Sequence, residues 1–207
     1  MLIAVDGCIG VGKTTVAKGL AAYRKCEVLL ESFESNPFLS AFYEEPKKYA
    51  TETEFTFLCL HFHQLRTSVA GVSNQEVVAD FHLGKDLLYA DLNLHDAQTR
   101  RVFKDLHGIF AKQVPEPAVL VCLSATTELV TERIHRRNRD FELKVDPGYY
   151  ANLNAAYERF FLDYACQKVK VSMDEWDFLK SPKLYQSLSE LVDEKIGLEC
   201  AARQPNR

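Results

Sequence analysis

The chain has 207 residues, of which 47% are hydrophobic and 26% charged, proportions that exclude a disordered, collagenous or low-complexity protein. A chain of this length buries roughly 70% of its unfolded surface, so it needs no disulfide or structural metal to fold. Lys+Arg 25 against Asp+Glu 29 gives a net charge of −4, which argues against nucleic-acid polymers and anionic membranes as partners.

In chain order, Leu2-Ile3-Ala4-Val5 predicts a buried strand, followed by a glycine loop and a helix from Lys13 to Tyr23. Glu27–Leu30, Glu76–Ala79 and Ala118–Leu123 predict three further strands, and Val169–Val171 a weaker fifth. Unbroken apolar runs without alternation suit a parallel sheet covered on both faces. Between the strands, Phe55, Leu58, Cys59, Phe62 and Leu65 fall at offsets 0, 3, 4, 7 and 10 and predict a helix over 51–69 with that stripe buried. Segments 95–113 and 126–138 predict helices too. Asp146-Pro147 then offers an N-cap and a first-turn proline, ahead of an aromatic face of Tyr150, Leu153, Tyr157, Phe160 and Tyr164. Such alternation predicts an α/β doubly wound fold, a parallel five-stranded sheet with right-handed crossovers. One domain is expected over 1–198, with a disordered tail over 199–207.

The six cysteines form no C-x-x-C pair and lie mostly in apolar runs, so they read as buried, reduced core residues of a cytoplasmic protein. The N-terminal apolar run is too short for a signal peptide, and no run approaches the roughly 20 apolar residues of a membrane span.

Gly7-Cys8-Ile9-Gly10-Val11-Gly12-Lys13-Thr14 satisfies G-x-x-x-x-G-K-[ST] between a strand and a helix. In that context backbone N–H groups and a helix N-terminus converge on phosphate oxygens. The loop residues Gly7, Gly10, Val11, Gly12, Lys13, Thr14 and Thr15 are therefore expected to bind ATP. Lys13 reaches the β/γ-phosphates, and the Thr14 hydroxyl ligates Mg²⁺. This identifies a nucleoside-triphosphate site and leaves the phosphate acceptor open.

Three further stretches bear on the acceptor. The first is Glu31-Ser32-Phe33-Glu34-Ser35-Asn36-Pro37-Phe38-Leu39, continued by Phe42-Tyr43-Glu44-Glu45-Pro46 and Tyr49-Ala50. The second is Glu132-Arg133-Ile134-His135-Arg136-Arg137-Asn138-Arg139-Asp140-Phe141-Glu142. The third carries Tyr149-Tyr150, Leu153-Asn154, Tyr157-Glu158 and Phe160-Phe161. In order and spacing they resemble the deoxyribonucleoside kinase family from about Leu2 to Phe161: its segment E…NP(F/Y)L..FY.(D/E)P..YAF, then its lid ERI..RGRDFE. The lid maps to about 134–145.

In an open α/β sheet the ligand sits beyond the carboxyl ends of the strands. Glu31 lies there and can accept the proton of an attacking hydroxyl. The resemblance implies that role, general base on the deoxyribose 5′-OH. Arg133 and Arg137 share a helix face, with Arg139 just beyond, where guanidinium groups neutralise a transferring phosphoryl; Arg136 projects elsewhere, into solvent. By resemblance, Tyr43 and Glu142 hold the sugar 3′-OH, Asp80 completes the Mg²⁺ shell through water, and the protein is a homodimer.

Two departures from the family bear on the substrate. The family carries D-R-S after the third strand, whereas this chain has Asp80-Phe81-His82. No arginine stands there; Lys85 is the candidate replacement for its charge, and Asp86 the candidate contact to the base. The family also reads the base with a glutamine where this chain has Glu54. An ionised carboxylate only accepts, which favours purines or cytosine over thymine, deoxyguanosine first; a buried, protonated Glu54 would imitate glutamine instead. His61 and His63 diverge on a helix and cannot share a metal. Cys59 and His63 could, but lack a second pair, and read as buried polar residues. Two other readings share the phosphate loop. One is a kinase for a nucleoside monophosphate or another small alcohol, which Glu31 and Tyr43 disfavour. The other is a nucleotide-binding regulatory protein without turnover, which the missing arginine favours.

Overall fold

A computed structural model of the chain describes residues 1–68, 75–139 and 147–202. Five strands, β1 (Leu2–Gly7), β2 (Glu27–Leu29), β3 (Val77–Ala79), β4 (Val119–Ser124) and β5 (Gln167–Ser172), form one sheet in the order β2-β3-β1-β4-β5. Every pairing is parallel, in registers such as Ala4 with Ala79 and Val5 with Val121. The expected fold class is the observed one. β1 is buried along its length and β4 at all but its last residue, as unalternated apolar runs require. The edges differ. β2 is short and leaves Val28 exposed. β5 is twice as long as the expected segment and alternates, with Val169 and Val171 buried and Lys170 turned out, the period-two pattern of a half-covered edge.

The described residues include eight α-helices: α1 (Lys13–Arg24), α2 (Leu39–Glu44), α3 (Pro46–Ser68), α4 (Lys85–Asn93), α5 (Ala97–Ala111), α6 (Thr127–Arg137), α7 (Pro147–Asp163) and α8 (Leu184–Ala202), besides a 3₁₀ turn at Phe33–Ser35. The sequence reading lacks α2, α4 and α8. Helix α3 starts five residues earlier than expected because Pro46 takes a first-turn position, where its missing N–H costs nothing. α5 begins where the Asp96 side chain accepts from Thr99 N at 2.6 Å. α8 runs to Ala202, four residues into the stretch expected to be a disordered tail.

The core has two halves. Ile3, Val5, Leu20, Leu120, Val121, Leu153 and Leu188 fill one; Leu2, Leu58, Leu65, Ala79, Phe81 and Phe103 fill the other. Adjacent residues Leu2 and Ile3 fall in different halves, whereas the consecutive β4 residues Leu120 and Val121 share one. The expected α3 stripe is rotated: Leu58, His61 and Leu65 are buried, Phe55 and Phe62 only partly, and Cys59 is exposed. Of the other cysteines, Cys8 and Cys122 are buried and Cys26 and Cys166 partly so. No described helix is long and apolar enough to cross a membrane.

The segments after β1 and β3 leave toward opposite ends of the sheet, one to β2 and the other to β4. This opens a crevice at the carboxyl ends of those two strands. Gly7, Glu31 and Asp80 follow or end three of the strands at that edge.

Candidate active site

The phosphate loop is held from below and from the side. Asp6, fully buried at the end of β1, accepts from Gly7 N at 2.7 Å and from Tyr157 Oη at 3.1 Å, and pairs with His82 Nε2 at 3.0 Å. Burial would raise its carboxyl, but the hydrogen bond and charge of His82 hold it below its ordinary value. Lys13 Nζ donates to the loop carbonyls of Gly7 (2.8 Å) and Cys8 (3.2 Å). Gly10 has φ 83°, and a Cβ there would lie 2.8 Å from Ile134 Cγ1 and 3.1 Å from Val130 O. Only glycine suits that backbone and lets α6 approach the loop. Arg133, expected among the phosphoryl-binding arginines, donates from Nη1 to Val11 O at 2.5 Å.

Thr14 and Asp80, the two expected metal residues, come together. Thr14 Oγ1 donates to Asp80 Oδ2 at 2.6 Å, and Glu31 N donates to Asp80 Oδ1 at 2.7 Å. A hydroxyl and one carboxylate beside a phosphate loop are the hard oxygen donors of a Mg²⁺ that keeps most of its shell from phosphates and water. The donor set fits that ion.

Glu31 lies in a buried charge cluster. Its Oε1 accepts from Lys85 Nζ at 2.7 Å and meets His61 Nε2 at 2.9 Å, while His61 Nδ1 meets Asp86 Oδ1 at 2.8 Å. Burial alone would raise the Glu31 carboxyl, but the charge of Lys85 and the His61 hydrogen bond hold it well below the carboxylate range. Burial would lower His61; the Asp86 charge and the bonds to both carboxylates outweigh it and push the imidazole up to about 9. Asp86 Oδ2 is buried with no hydrogen-bond partner among the described residues, an acceptor that a ligand donor would satisfy.

These groups line a cavity of about 240 Å³ together with Tyr43, Glu54, Asn93 and Tyr149. Glu54 is 3% exposed, and its Oε1 accepts from Asn93 Nδ2 at 2.7 Å. Burial pushes its carboxyl up to about 8, so at neutral pH it is protonated and, like glutamine, both donates and accepts. This favours the glutamine-like form of Glu54 over the ionised carboxylate expected to repel thymine. A carboxyl raised from 4.5 in the unfolded chain to about 8 in the fold costs stability as pH rises between those values and adds no further cost above them. Glu54→Gln, which keeps the Asn93 bond, is therefore expected to raise Tm relative to the parent by an increment that grows from pH 5 to pH 8 and then levels. A pH-independent increment in thermal melts would refute the protonated assignment.

A second cavity of about 380 Å³ lies on the other side of the loop, lined by Gly12, Thr15, Arg133, Met173 and Phe178 among others. Arg136 also lines it, although largely exposed and 4.0 Å from Glu132, so it is not turned wholly away from the site as expected. Lys13, Thr14, Arg137 and Arg139 line both cavities, and the Arg139 guanidinium sits 4.2 Å from the Phe33 ring centre.

The structure thus brings together the expected loop residues with Glu31, Tyr43, Glu54, Asp80, Lys85, Asp86 and the three arginines. Glu142 and the second half of the expected lid, residues 140–145, lie outside the described residues. Sequence reasoning missed Asn93, Tyr149 and, above all, His61, set aside as a metal ligand. Glu54, Phe57 and His61 at offsets 0, 3 and 7 mark one helix face, and that spacing was the available signal.

Residues 3–197 match the family described as deoxynucleoside kinase. The chain is 31% identical over 201 residues to a deoxyguanosine kinase of Bacillus subtilis, covering 94% of this chain and 97% of that protein. It is 26% identical to a deoxyadenosine kinase of Lactobacillus acidophilus, covering 94% and 96%. In fold it is similar to a deoxyadenosine kinase from M. mycoides solved with dCMP and dCDP, at TM-score 0.80 and 23% identity over 92% of this chain and 99% of that one.

Proposed function

This chain belongs to the deoxynucleoside kinase family, and from that premise we propose that it transfers the γ-phosphate of Mg-ATP to the 5′-hydroxyl of a purine or cytosine deoxyribonucleoside, with deoxyguanosine the first acceptor to test. The observation that carries this reading is the shared wall of the two cavities. Lys13, Thr14, Arg137 and Arg139 line both, so a triphosphate held in one presents its terminal phosphate to an acceptor in the other. A relative of 31% identity is named a deoxyguanosine kinase, in keeping with this choice of acceptor.

In this reading the 5′-hydroxyl donates to Glu31 Oε2, the oxygen left by Lys85 and His61, as its own oxygen attacks the γ-phosphorus. The bond to the leaving diphosphate breaks, and the proton passes to the carboxylate. Lys13 and the arginines of α6 and Arg139 neutralise charge spreading over the phosphoryl oxygens. Thr14 and Asp80 would hold Mg²⁺, which would supply positive charge to offset that of the phosphates. Tyr43 and Glu142 would hold the sugar, within a single kinase domain whose lid begins near residue 134. The reading includes a cytoplasmic homodimer, supported by Val102 and Ile109, exposed seven residues apart on α5.

The base is read by Asp86 and Glu54. Asp86 Oδ2 requires a donor, which the amino groups of guanine, adenine and cytosine supply, whereas thymine flanks its one N–H with carbonyls. In a substrate panel, deoxyguanosine, deoxyadenosine or deoxycytidine is expected to exceed thymidine in kcat/KM by about 10- to 100-fold, the cost of leaving a buried polar group unsatisfied. Thymidine with the highest kcat/KM would overturn the assignment.

A further inference from the structure

His61 joins the two ends of the acceptor cavity. One ring nitrogen is 2.9 Å from Glu31 Oε1 and the other 2.8 Å from Asp86 Oδ1. A carboxylate offers only acceptors, so satisfying both at once requires both nitrogens to donate, which only the imidazolium does. The ring is 1% exposed and clamped between aromatics, stacked on Phe57 with centres 5.5 Å apart and tilted against Phe81 at 4.9 Å. Each carboxylate is thereby left with one oxygen for the substrate. Glu31 Oε1 is occupied by His61 and Lys85, leaving Oε2; Asp86 Oδ1 is occupied by His61, leaving the buried Oδ2, which has no partner among the described residues.

We propose that His61 is a positioning residue: one clamped imidazolium fixes the oxygen that receives the 5′-hydroxyl and the oxygen that receives the base, and so sets the span between them. This rests on the deoxynucleoside reading of the cavity. A base seated on Asp86 then bears on a ring whose other edge aligns Glu31, so loss of His61 lowers the rate of transfer more than it weakens substrate binding. Neutral His61 can serve only one carboxylate and leaves the other turned against a bare ring nitrogen. The charged and titratable groups facing the ring are Glu31 beyond β2, Lys85 and Asp86 on α4, and Glu54 on α3 itself. The two carboxylates in direct contact stabilise the cation, and Lys85 opposes it, in keeping with a ring that stays protonated to about pH 9.

The test is the pH dependence of kcat for one deoxynucleoside under saturating Mg-ATP, in the parent, His61→Gln and Asp86→Asn. Glutamine donates to one carboxylate and turns its carbonyl on the other. His61→Gln is expected to lower kcat about 10- to 100-fold, the cost of a misplaced reacting group, with a much smaller change in KM. The parent should lose kcat as pH rises past about 9, and His61→Gln should lack that fall. Asp86→Asn removes one of the two anions that hold the ring charged, so its fall should move to lower pH. A His61→Gln enzyme with near-parental kcat, or a fall that stays unmoved in Asp86→Asn, overturns the proposal. Should His61→Gln not fold, the Asp86→Asn profile decides alone. The base reading stands or falls separately, on kcat/KM across deoxynucleosides in the parent.

Discussion

Glu31→Gln is expected to reduce kcat about 10²- to 10⁴-fold, the usual range for losing a group that takes a proton in the transition state, while nucleotide binding stays near parental. A 10³-fold loss corresponds to about 4 kcal/mol of transition-state stabilisation. The substitution preserves shape, and the glutamine oxygen still accepts from Lys85. Its amide nitrogen, however, then faces the 5′-hydroxyl with donors where a lone pair is needed. The depressed ionisation of Glu31 sharpens what this residue does. A carboxylate held so firmly charged is a weak base, and the loose transition state of phosphoryl transfer leaves the proton on the nucleophile until late. In the proposed reaction Glu31 would therefore act both by aiming the hydroxyl lone pair at phosphorus and by taking the proton late, as the new bond forms. Because the group stays charged throughout the neutral range, kcat of the parent should show no acid limb from Glu31 between about pH 5 and pH 8. Single-turnover kinetics with Mg-ATP would expose the loss directly, and near-normal turnover by Glu31→Gln would remove the residue from the chemistry.

The legible parts of this protein were those fixed by local pattern. β1 and β4 declared themselves because strands buried on both faces need unbroken apolar runs. The loop from Gly7 to Thr14 was legible because close approach to phosphate demands glycine at set spacings. What stayed hidden depends on how elements cross. Leu58, His61 and Leu65 are buried on α3 while Cys59 is not; the rotation of that helix is set by α4 and α5 packed against it. His61 stood out in the sequence only as a histidine unable to share a metal with His63, yet its significance lies in two carboxylates 25 and 30 residues away in sequence. Asn93 lies at the end of a helix that was not expected at all, and its bond to Glu54 joins two buried side chains 39 residues apart in sequence; it is burial, which no local pattern announces, that favours the protonated form of Glu54.

Lys85→Met should be costlier to the fold than any other single change at the site and nearly as damaging to the rate. Where the family carries arginine, this chain has Phe81, which is fully buried and packs against the His61 ring. An arginine in that core position would forfeit the packing of Phe81 against His61. The positive charge comes instead from α4: Lys85, 4% exposed, donates to Glu31 Oε1 at 2.7 Å. Methionine keeps the volume and removes the charge, leaving Glu31 and Asp86 to share His61 alone. Breaking a buried pair on one side typically costs about 3–5 kcal/mol. The pH window follows from both partners. The lowered Glu31 carboxyl contributes stability above its unfolded value of about 4.5, lost as pH falls. The raised Lys85 ammonium contributes below its unfolded value of about 10.5, lost as pH rises through the folded value. The deficit of Lys85→Met in chemical denaturation should accordingly be full between about pH 5 and pH 10 and shrink in acid. Activity should fall about 10²- to 10³-fold, the scale of removing one preorganised electrostatic partner, and an acid limb should enter the kcat profile as the Glu31 carboxyl moves back toward its ordinary range. Lys85→Arg, which restores the charge on a different fork, should recover part of both. A Lys85→Met enzyme with parental stability and rate would show that Lys85 does not stand in for the family's arginine, and the regulatory reading favoured by that missing residue would have to be reopened.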